Sequence, residues 1–365
     1  MSVRAAVMDR PNDVAIREFD RPRIGPDAAL IQIEMAGICG SDPKLFRGEL
    51  TWAPFPIVPG HETLGRLVEV GELFAAGQNV KVGDRVIVEA NVKCGSCGNC
   101  QRGAYNLCTN IKIYGLRVAS TMPPHLWGAW AEYMYLAPGS SVHKIRDDVP
   151  AAAAVLANAV VANGIQWLRN LGGANIGDAC VIQGPGAIGL TSIVAAKESG
   201  CNPVILTGLG HHEDRFEIAR AFGADHCINT DAEDPVARVR EITGGKMADI
   251  VMDVTGDVRT LDTSIKMLRK TGTFVLGGIL PETAGNVPVS FFNDIVMNQI
   301  RLQGVQSKTG QAVAAAIKII ESGKYPLERI MTKVYALDDA HEALRAMGRE
   351  IDGFRPIKVA IDPRL

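Results

Sequence analysis

ACVIQGPGAIGLTSIVAAKESG, residues 179–200, runs from one apolar segment through three glycines into another. The order reads as buried strand, glycine turn and apolar helix. Gly184, Gly186 and Gly189 form G-x-G-x-x-G. In such a turn the first glycine permits a sharp reversal, the second lets backbone approach a pyrophosphate, and the third lets helix and strand pack closely. The helix start that follows, through Ala187 and Ile188, offers free N–H groups and a positive dipole end to phosphates. Alone the motif is weak, and its setting decides the matter. PVILTG (203–208), HCINT (226–230), ADIVMDVTG (248–256) and GTFVLGG (272–278) read as further strands, with DRFEIARAFGAD (214–225) as a helix between two of them. Strands alternating with helices imply βαβ units, so residues 155–307 are expected to form an α/β, doubly wound parallel sheet that binds a dinucleotide.

The rest of the chain has another rhythm. Up to about residue 150, short runs such as AALIQIEMAGI (28–38), GRLVEVG (65–71) and DRVIVEA (84–90) are separated by Gly, Pro and Asp, which suits an irregular barrel. The tail is mixed: a helix near 310–322, another near 338–349, and a last strand PIKVAID (356–362). At 365 residues the chain is too long for one ordinary core. With 47% hydrophobic and 21% charged residues it falls among soluble globular proteins. A net charge of −2 gives no general electrostatic attraction to nucleic acid or an anionic membrane, and neither is expected as a partner. The longest apolar run, around Ala151 to Ala162, is broken by Asn158 and falls short of the roughly 18 residues of a membrane span. The N-terminus, MSVRAAVMDRPND, carries charges where a signal peptide needs an apolar stretch, so the expected compartment is the cytoplasm.

The nucleotide's identity is less marked. NAD sites usually place an acid at the end of the second strand to hold the ribose hydroxyls. Here Thr207-Gly208 stands there, and Glu213 and Asp214 follow five or six residues later. Two readings stand: Asp214 caps the next helix and Arg215 is solvated, or Arg215 faces a 2′-phosphate. NAD is favoured over NADP.

KCGSCGNCQRGAYNLC (93–108) places Cys94, Cys97, Cys100 and Cys108 in C-x2-C-x2-C-x7-C. Two-residue gaps let thiolates converge on one ion, and Gly95, Gly98 and Gly103 supply the turns. Four thiolates close a tetrahedral zinc shell and leave no position for water or substrate. Iron–sulfur ligation uses the same ligand type; disulfides are disfavoured in a reducing compartment. Cys180, Cys201 and Cys227 lie in or beside expected strands and read as packing residues. GICGSD (37–42) and PGHE (59–62) supply a second, open group: Cys39 as thiolate, His61 as imidazole, and Glu62 beside it.

With these residues in view, the chain resembles the medium-chain, zinc-dependent alcohol dehydrogenases, in the branch with sorbitol-type and threonine-type enzymes. GICGSD, GHETLGRLVEVG, VKVGDRV, the four-cysteine lobe, GAWAEY (128–133), the glycine fingerprint and MTKVYALDDAHEAL (331–344) occur in family order over nearly the whole chain. The resemblance implies a GroES-like, β-rich catalytic domain from residues 1–154 and 308–365, with a Rossmann domain, 155–307, inserted. It implies two zincs per chain: a structural one on the four cysteines and a catalytic one at Cys39 and His61, with Glu62 as ligand or close neighbour. Ser41 corresponds to the family's hydroxyl that hydrogen-bonds the substrate oxygen and starts the proton relay. Asp253, Thr255, Gly277 and Gly278 fall where strand ends approach the nicotinamide half, and homodimers or homotetramers are usual. Three departures stand out. No Cys, Glu or Asp for a third catalytic-zinc ligand occurs within VLANAVVANGIQW (155–167); Ala159 falls about there, with Asn158 its polar neighbour. Lys44 replaces the relay's outer histidine. The third is Gly208.

The resemblance therefore implies reversible hydride transfer between an alcohol or ketone and NAD(P), with zinc as Lewis acid and Ser41 passing the proton to solvent. FRGELTWAPFPIV (46–58) and PPHLWGAW (123–130) are apolar and aromatic, which suggests a secondary alcohol with an apolar or cyclic body. Trp52 and Trp127 are the candidates for lining such a cleft, with ordinary core packing as the competing reading. The alternatives are a polyol, sugar-alcohol or threonine-type dehydrogenase and, on the missing ligand, a non-catalytic nucleotide-binding homologue.

Overall fold

Strand Cys180–Gln183 leads through Gly184 and Pro185 into helix Ala187–Glu198. The helix buries side chains all round, including Leu190, Ile193 and Val194, because it is apolar on every face. The computed structural model describes residues 2–278 and 289–365. Among them, six parallel strands form one sheet in the order His226–Asn229, Val204–Gly208, Cys180–Gln183, Ala248–Asp253, Leu268–Leu276, Arg301–Gly304. In sequence rank this order is 3-2-1-4-5-6, with its switch point between Cys180–Gln183 and Ala248–Asp253. Ligands of doubly wound sheets bind just beyond such a point. The central strands Val204–Gly208, Cys180–Gln183 and Ala248–Asp253 are almost wholly buried, as a sheet covered on both faces requires.

The chain divides into two compact units. One comprises Val160–Lys308 with Lys324–Pro326 and holds the parallel sheet; the other comprises Met1–Ala159, Thr309–Gly323 and Leu327–Leu365. In the second unit a mostly antiparallel sheet is centred on Ala29–Ile38, which pairs with Glu62–Val70, Lys358–Asp362 and Tyr133–Leu136. Its core gathers Ile31, Ile33, Val86, Trp130, Met134 and Ile361. Register matters here: Gly37 lies opposite Glu62 on one side, and Ile38 lies opposite Val359 on the other. The end of one strand and the starts of two others therefore meet at one edge.

The apolar run at Ala151 is not ended by Asn158. Ala151–Leu171 is helical over 21 residues, long and apolar enough by composition to cross a membrane, yet 83% of its window is buried within the protein. Asn158 is accommodated in a π-turn, Ala157–Val161. Local widening of this kind is frequent at functional sites.

Candidate active site and metal centres

The open group forms where those three strand ends meet. Cys39 follows Ile38 directly, while His61 and Glu62 stand at the start of Glu62–Val70. Gly60, at φ +95°, turns the chain into His61; a Cβ there would lie 2.4 Å from the Trp130 ring. Donor atoms of Cys39, His61 and Glu62 lie within 4.8 Å of one another. Asp42, fully buried, accepts the Cys39 N–H at Oδ2 (2.7 Å) and places Oδ1 3.5 Å from His61 Nδ1. A carboxylate behind one ring nitrogen leaves the other, Nε2, to a metal. Burial pushes the Asp42 carboxyl up to about 7, with the neighbouring His61 pulling it back.

Two further residues complete the surroundings. Lys358 Nζ lies 2.6 Å from the Glu62 carboxylate, with side-chain exposures of 3% and 1%. Gly37 makes room for that carboxylate, since a Cβ there would sit 2.2 Å from Glu62 Oε2. Asn158, fully buried, donates from Nδ2 to the His61 carbonyl (3.1 Å), and its Oδ1 has no partner. An unsatisfied buried amide oxygen costs about 1–3 kcal/mol. Four buried polar atoms, Asp42 Oδ1, His61 Nδ1, Glu62 Oε2 and Asn158 Oδ1, have no hydrogen-bond partner, and they belong to residues on or beside the thiol, imidazole and carboxylate. This donor set fits a divalent ion. Lys44 and Ser41 lie on the short helix Ser41–Phe46 that follows Cys39, both partly exposed.

Cys94, Cys97, Cys100 and Cys108 meet in the lobe, all as free thiols. Their sulfurs are 3.5 Å (Cys94–Cys108), 3.9 Å (Cys97–Cys108) and 3.9 Å (Cys94–Cys100) apart. Zn–S bonds of about 2.3 Å set tetrahedral S···S edges of about 3.8 Å, so the set fits zinc, whereas a disulfide needs about 2.05 Å. Backbone amides of Cys100 and Thr109 pull the Cys97 thiol down to about 5, and that of Cys97 lowers Cys94. Tyr105 fastens the lobe to the barrel: its hydroxyl donates to Glu89 Oε2 (2.8 Å) and accepts from the Gly310 N–H, and His143 holds the other Glu89 oxygen at 2.8 Å.

In the parallel-sheet unit the three fingerprint glycines have distinct surroundings. Gly184 has φ +104° and lies against Thr255. A Cβ on Gly186 would meet nothing within 4 Å, and one on Gly189 would sit 1.9 Å from the Gly184 carbonyl. The open space above Gly186, at the start of a helix of 12 residues, is what a pyrophosphate needs. Asp253 is buried and its carboxylate is taken up by the Thr255 N–H and hydroxyl and by Thr260. It shapes the strand end and has little capacity left for a ligand. Gly277 packs under the Trp167 ring and Gly278 against Gly256.

Family profiles match both parts: Alcohol dehydrogenase GroES-like domain over residues 25–147, and Zinc-binding dehydrogenase over 187–322. A probable alcohol dehydrogenase of Mycobacterium tuberculosis is 36% identical over 99% of this chain and 98% of its own. The chain belongs to the medium-chain zinc-dependent alcohol dehydrogenase family. An erythritol/L-threitol dehydrogenase of Mycolicibacterium smegmatis is 31% identical over 99% and 98% of the two chains. Among solved structures, an alcohol dehydrogenase of Thermotoga maritima superposes with a TM-score of 0.90 at 28% identity, covering 99% of each chain. The enzyme is therefore an NAD(P)-dependent, zinc-type oxidoreductase with a GroES-like and a Rossmann-like part.

Several sequence expectations need correction in this dehydrogenase. Arg215 is neither solvated nor turned to a 2′-phosphate; it is buried and donates to the Pro185 carbonyl inside the glycine turn (3.3 Å), steadying the loop. Asp214 makes no cap; it is exposed in the first turn of Glu213–Ala221, where the helix dipole favours an acid. Gly208 is hemmed in by Phe216 and Pro185, 3.0 Å from any added Cβ, so an acid there would be crowded. Trp127 is core: 4% exposed, stacked on Tyr114, with its N–H bound to the Met122 carbonyl. Sequence reasoning left Asp42 and Lys358 without a role. Asp42 had a signal, its three-residue spacing from Cys39; Lys358 had only its place as a cation in an apolar strand.

Proposed function

We propose that this enzyme oxidises a secondary alcohol reversibly to a ketone, with the ion held at Cys39 and His61 and Glu62 as ligand or close neighbour. The pre-assembled thiol–imidazole–carboxylate group, with Asp42 behind His61, is the observation that carries this reading. Zinc bound there supplies Lewis acidity that lowers the alcohol's pKa. Asp42 backs the His61 ring at 3.5 Å, Gly60 sets its backbone, and to Ser41, two residues beyond Cys39, we assign the role of taking the substrate proton and passing it outward. Gly184, Gly186 and Gly189 seat the pyrophosphate of NAD, which remains our preferred cofactor over NADP. An apolar or cyclic substrate keeps one support, Trp52, which is 48% exposed with the Arg117 guanidinium 4.5 Å from its ring centre. A polyol is the second reading, favoured by the erythritol/L-threitol relative.

Eight free cysteines suit a reducing cytoplasm. We propose that a second copy packs on the edge strand Arg301–Gly304, where Leu302 is exposed, as are Phe292 and Met297 in the segment before it. Purified enzyme should carry close to two zincs per chain, sediment as a dimer or larger, and reduce NAD with cyclohexanol-type alcohols faster than with tetritols. Higher kcat/KM on tetritols moves the assignment to the polyol reading, and no turnover on any alcohol removes both.

The cofactor seat makes a separate prediction. Gly186→Ala adds a methyl group that touches no protein atom but enters the open space above the turn. Its thermal midpoint should stay within about 1 °C of wild type while KM for NAD rises at least about tenfold, the loss of roughly 1.4 kcal/mol of binding. Gly189→Ala should instead lose soluble protein. An unchanged KM for Gly186→Ala would remove the pyrophosphate from that position.

A further inference from the structure

The open metal group offers one thiolate, one imidazole and a carboxylate that is paired with a buried cation. Lys358 neutralises Glu62 at 2.6 Å, both side chains are buried, and the Gly37 hollow fixes the carboxylate in place. A catalytic zinc takes three protein donors and leaves one position open. Cys39 and His61 supply two of them.

We propose that the third is the side-chain oxygen of Asn158, and that Glu62 serves as a buried counter-charge set by Lys358. This rests on the reading of Cys39 and His61 as the catalytic metal site. Asn158 is fully buried, its nitrogen is fixed on the carbonyl of His61, and its Oδ1 has no partner. A carboxamide spends one end on the ligand residue's own backbone and keeps the other free beside it. The π-turn Ala157–Val161 is the local distortion that carries the residue there. Oxygen of an amide is a neutral, weak donor for zinc, as thiolate and imidazole are the stronger ones. With Glu62 and Lys358 cancelling, zinc, the Cys39 thiolate and the Asp42 carboxylate behind His61 sum to a site near neutrality. Such a site, with one thiolate against four, binds its ion more loosely than the four-thiolate lobe.

The test uses full-length enzyme reconstituted with zinc and, separately, with Co2+ at the exchangeable site. Zinc affinity is read by competition with a chromophoric chelator, and coordination by the visible Co2+ bands. Asn158→Ala should weaken the exchangeable site at least tenfold and shift the Co2+ bands, with the lobe zinc retained. Asn158→Asp discriminates further: it loses the N–H donated to His61 but gains a charged donor oxygen. A ligand role predicts zinc bound at least tenfold more tightly than by wild type. A role limited to bracing His61 predicts weaker binding and no band shift. Wild-type affinity and spectrum in Asn158→Ala, or weaker zinc binding in Asn158→Asp, would overturn the proposal. If Cys39→Ala also keeps its full zinc content, the site assignment itself fails, which separates the two. Should Asn158→Ala prove insoluble, the near-isosteric Asn158→Asp carries the test alone.

Discussion

Cys39→Ala should take the enzyme from two bound zincs per chain to one and cut kcat by roughly a thousandfold. Of the two metal-competent groups among the described residues, Cys39 belongs to the open one, and it is that group's sole thiolate. Lewis-acid activation is worth several kcal/mol; about 4 kcal/mol corresponds to about three decades in rate. The fold should survive, because Cys39 is only partly buried and the strand before it, Ala29–Ile38, is held by backbone ladders that do not involve its side chain. The four-cysteine zinc is the internal control, held on sulfurs already spaced for it. Elemental analysis with steady-state kinetics on one preparation reads both effects. Two zincs in the variant, or turnover close to wild type, would place the chemistry elsewhere.

Lys358→Met should destabilise the metal-free protein by about 3–5 kcal/mol, the usual loss when a buried pair forfeits one partner. Glu62 would be left in a site with 1% exposure, its carboxylate confined by Gly37 and without its cation. The thermal midpoint with a chelator present should fall by roughly 10 °C. Zinc, bound beside Glu62, supplies positive charge of its own, so the zinc-loaded variant should lose less. The double variant Lys358→Met, Glu62→Leu removes both charges and should recover much of the stability, since apolar replacement of a whole buried pair is often neutral. A metal-free Lys358→Met that melts with wild type would mean that Glu62 is protonated or solvated in this fold, and the counter-charge argument would go with it.

Local signals carried a long way. The strand–turn–helix at 179–200 is legible because each glycine's task is set within a few residues: one reverses the chain, one stays bare, and one admits a carbonyl at 1.9 Å from its absent Cβ. The cysteine lobe is legible for the same reason, its ligands being close in sequence. The strands after residue 200 follow from apolar runs and the helices between them.

What failed were inferences about where a side chain faces. For Trp127 the sequence left cleft wall and core packing both open, and it is core, because its burial depends on Tyr114 and Tyr135 from other parts of the chain. Arg215, read as either solvated or turned to a 2′-phosphate, is buried and donates to the Pro185 carbonyl, a contact across 30 residues. Cys39, His61 and Glu62 could be named from two short motifs, but their electrostatics could not. The cation that sets the charge of Glu62 lies 296 residues away, and the amide that holds His61 lies 97 residues away. Sequence by itself determined the parallel sheet, the nucleotide turn and the four-cysteine metal lobe, all encoded in spacing, and named Cys39 and His61 as donors of a second group. Only the tertiary structure decided the partners of Glu62 and Asn158, because strand register, not local spacing, brings residues 37, 62 and 358 to one edge of one sheet.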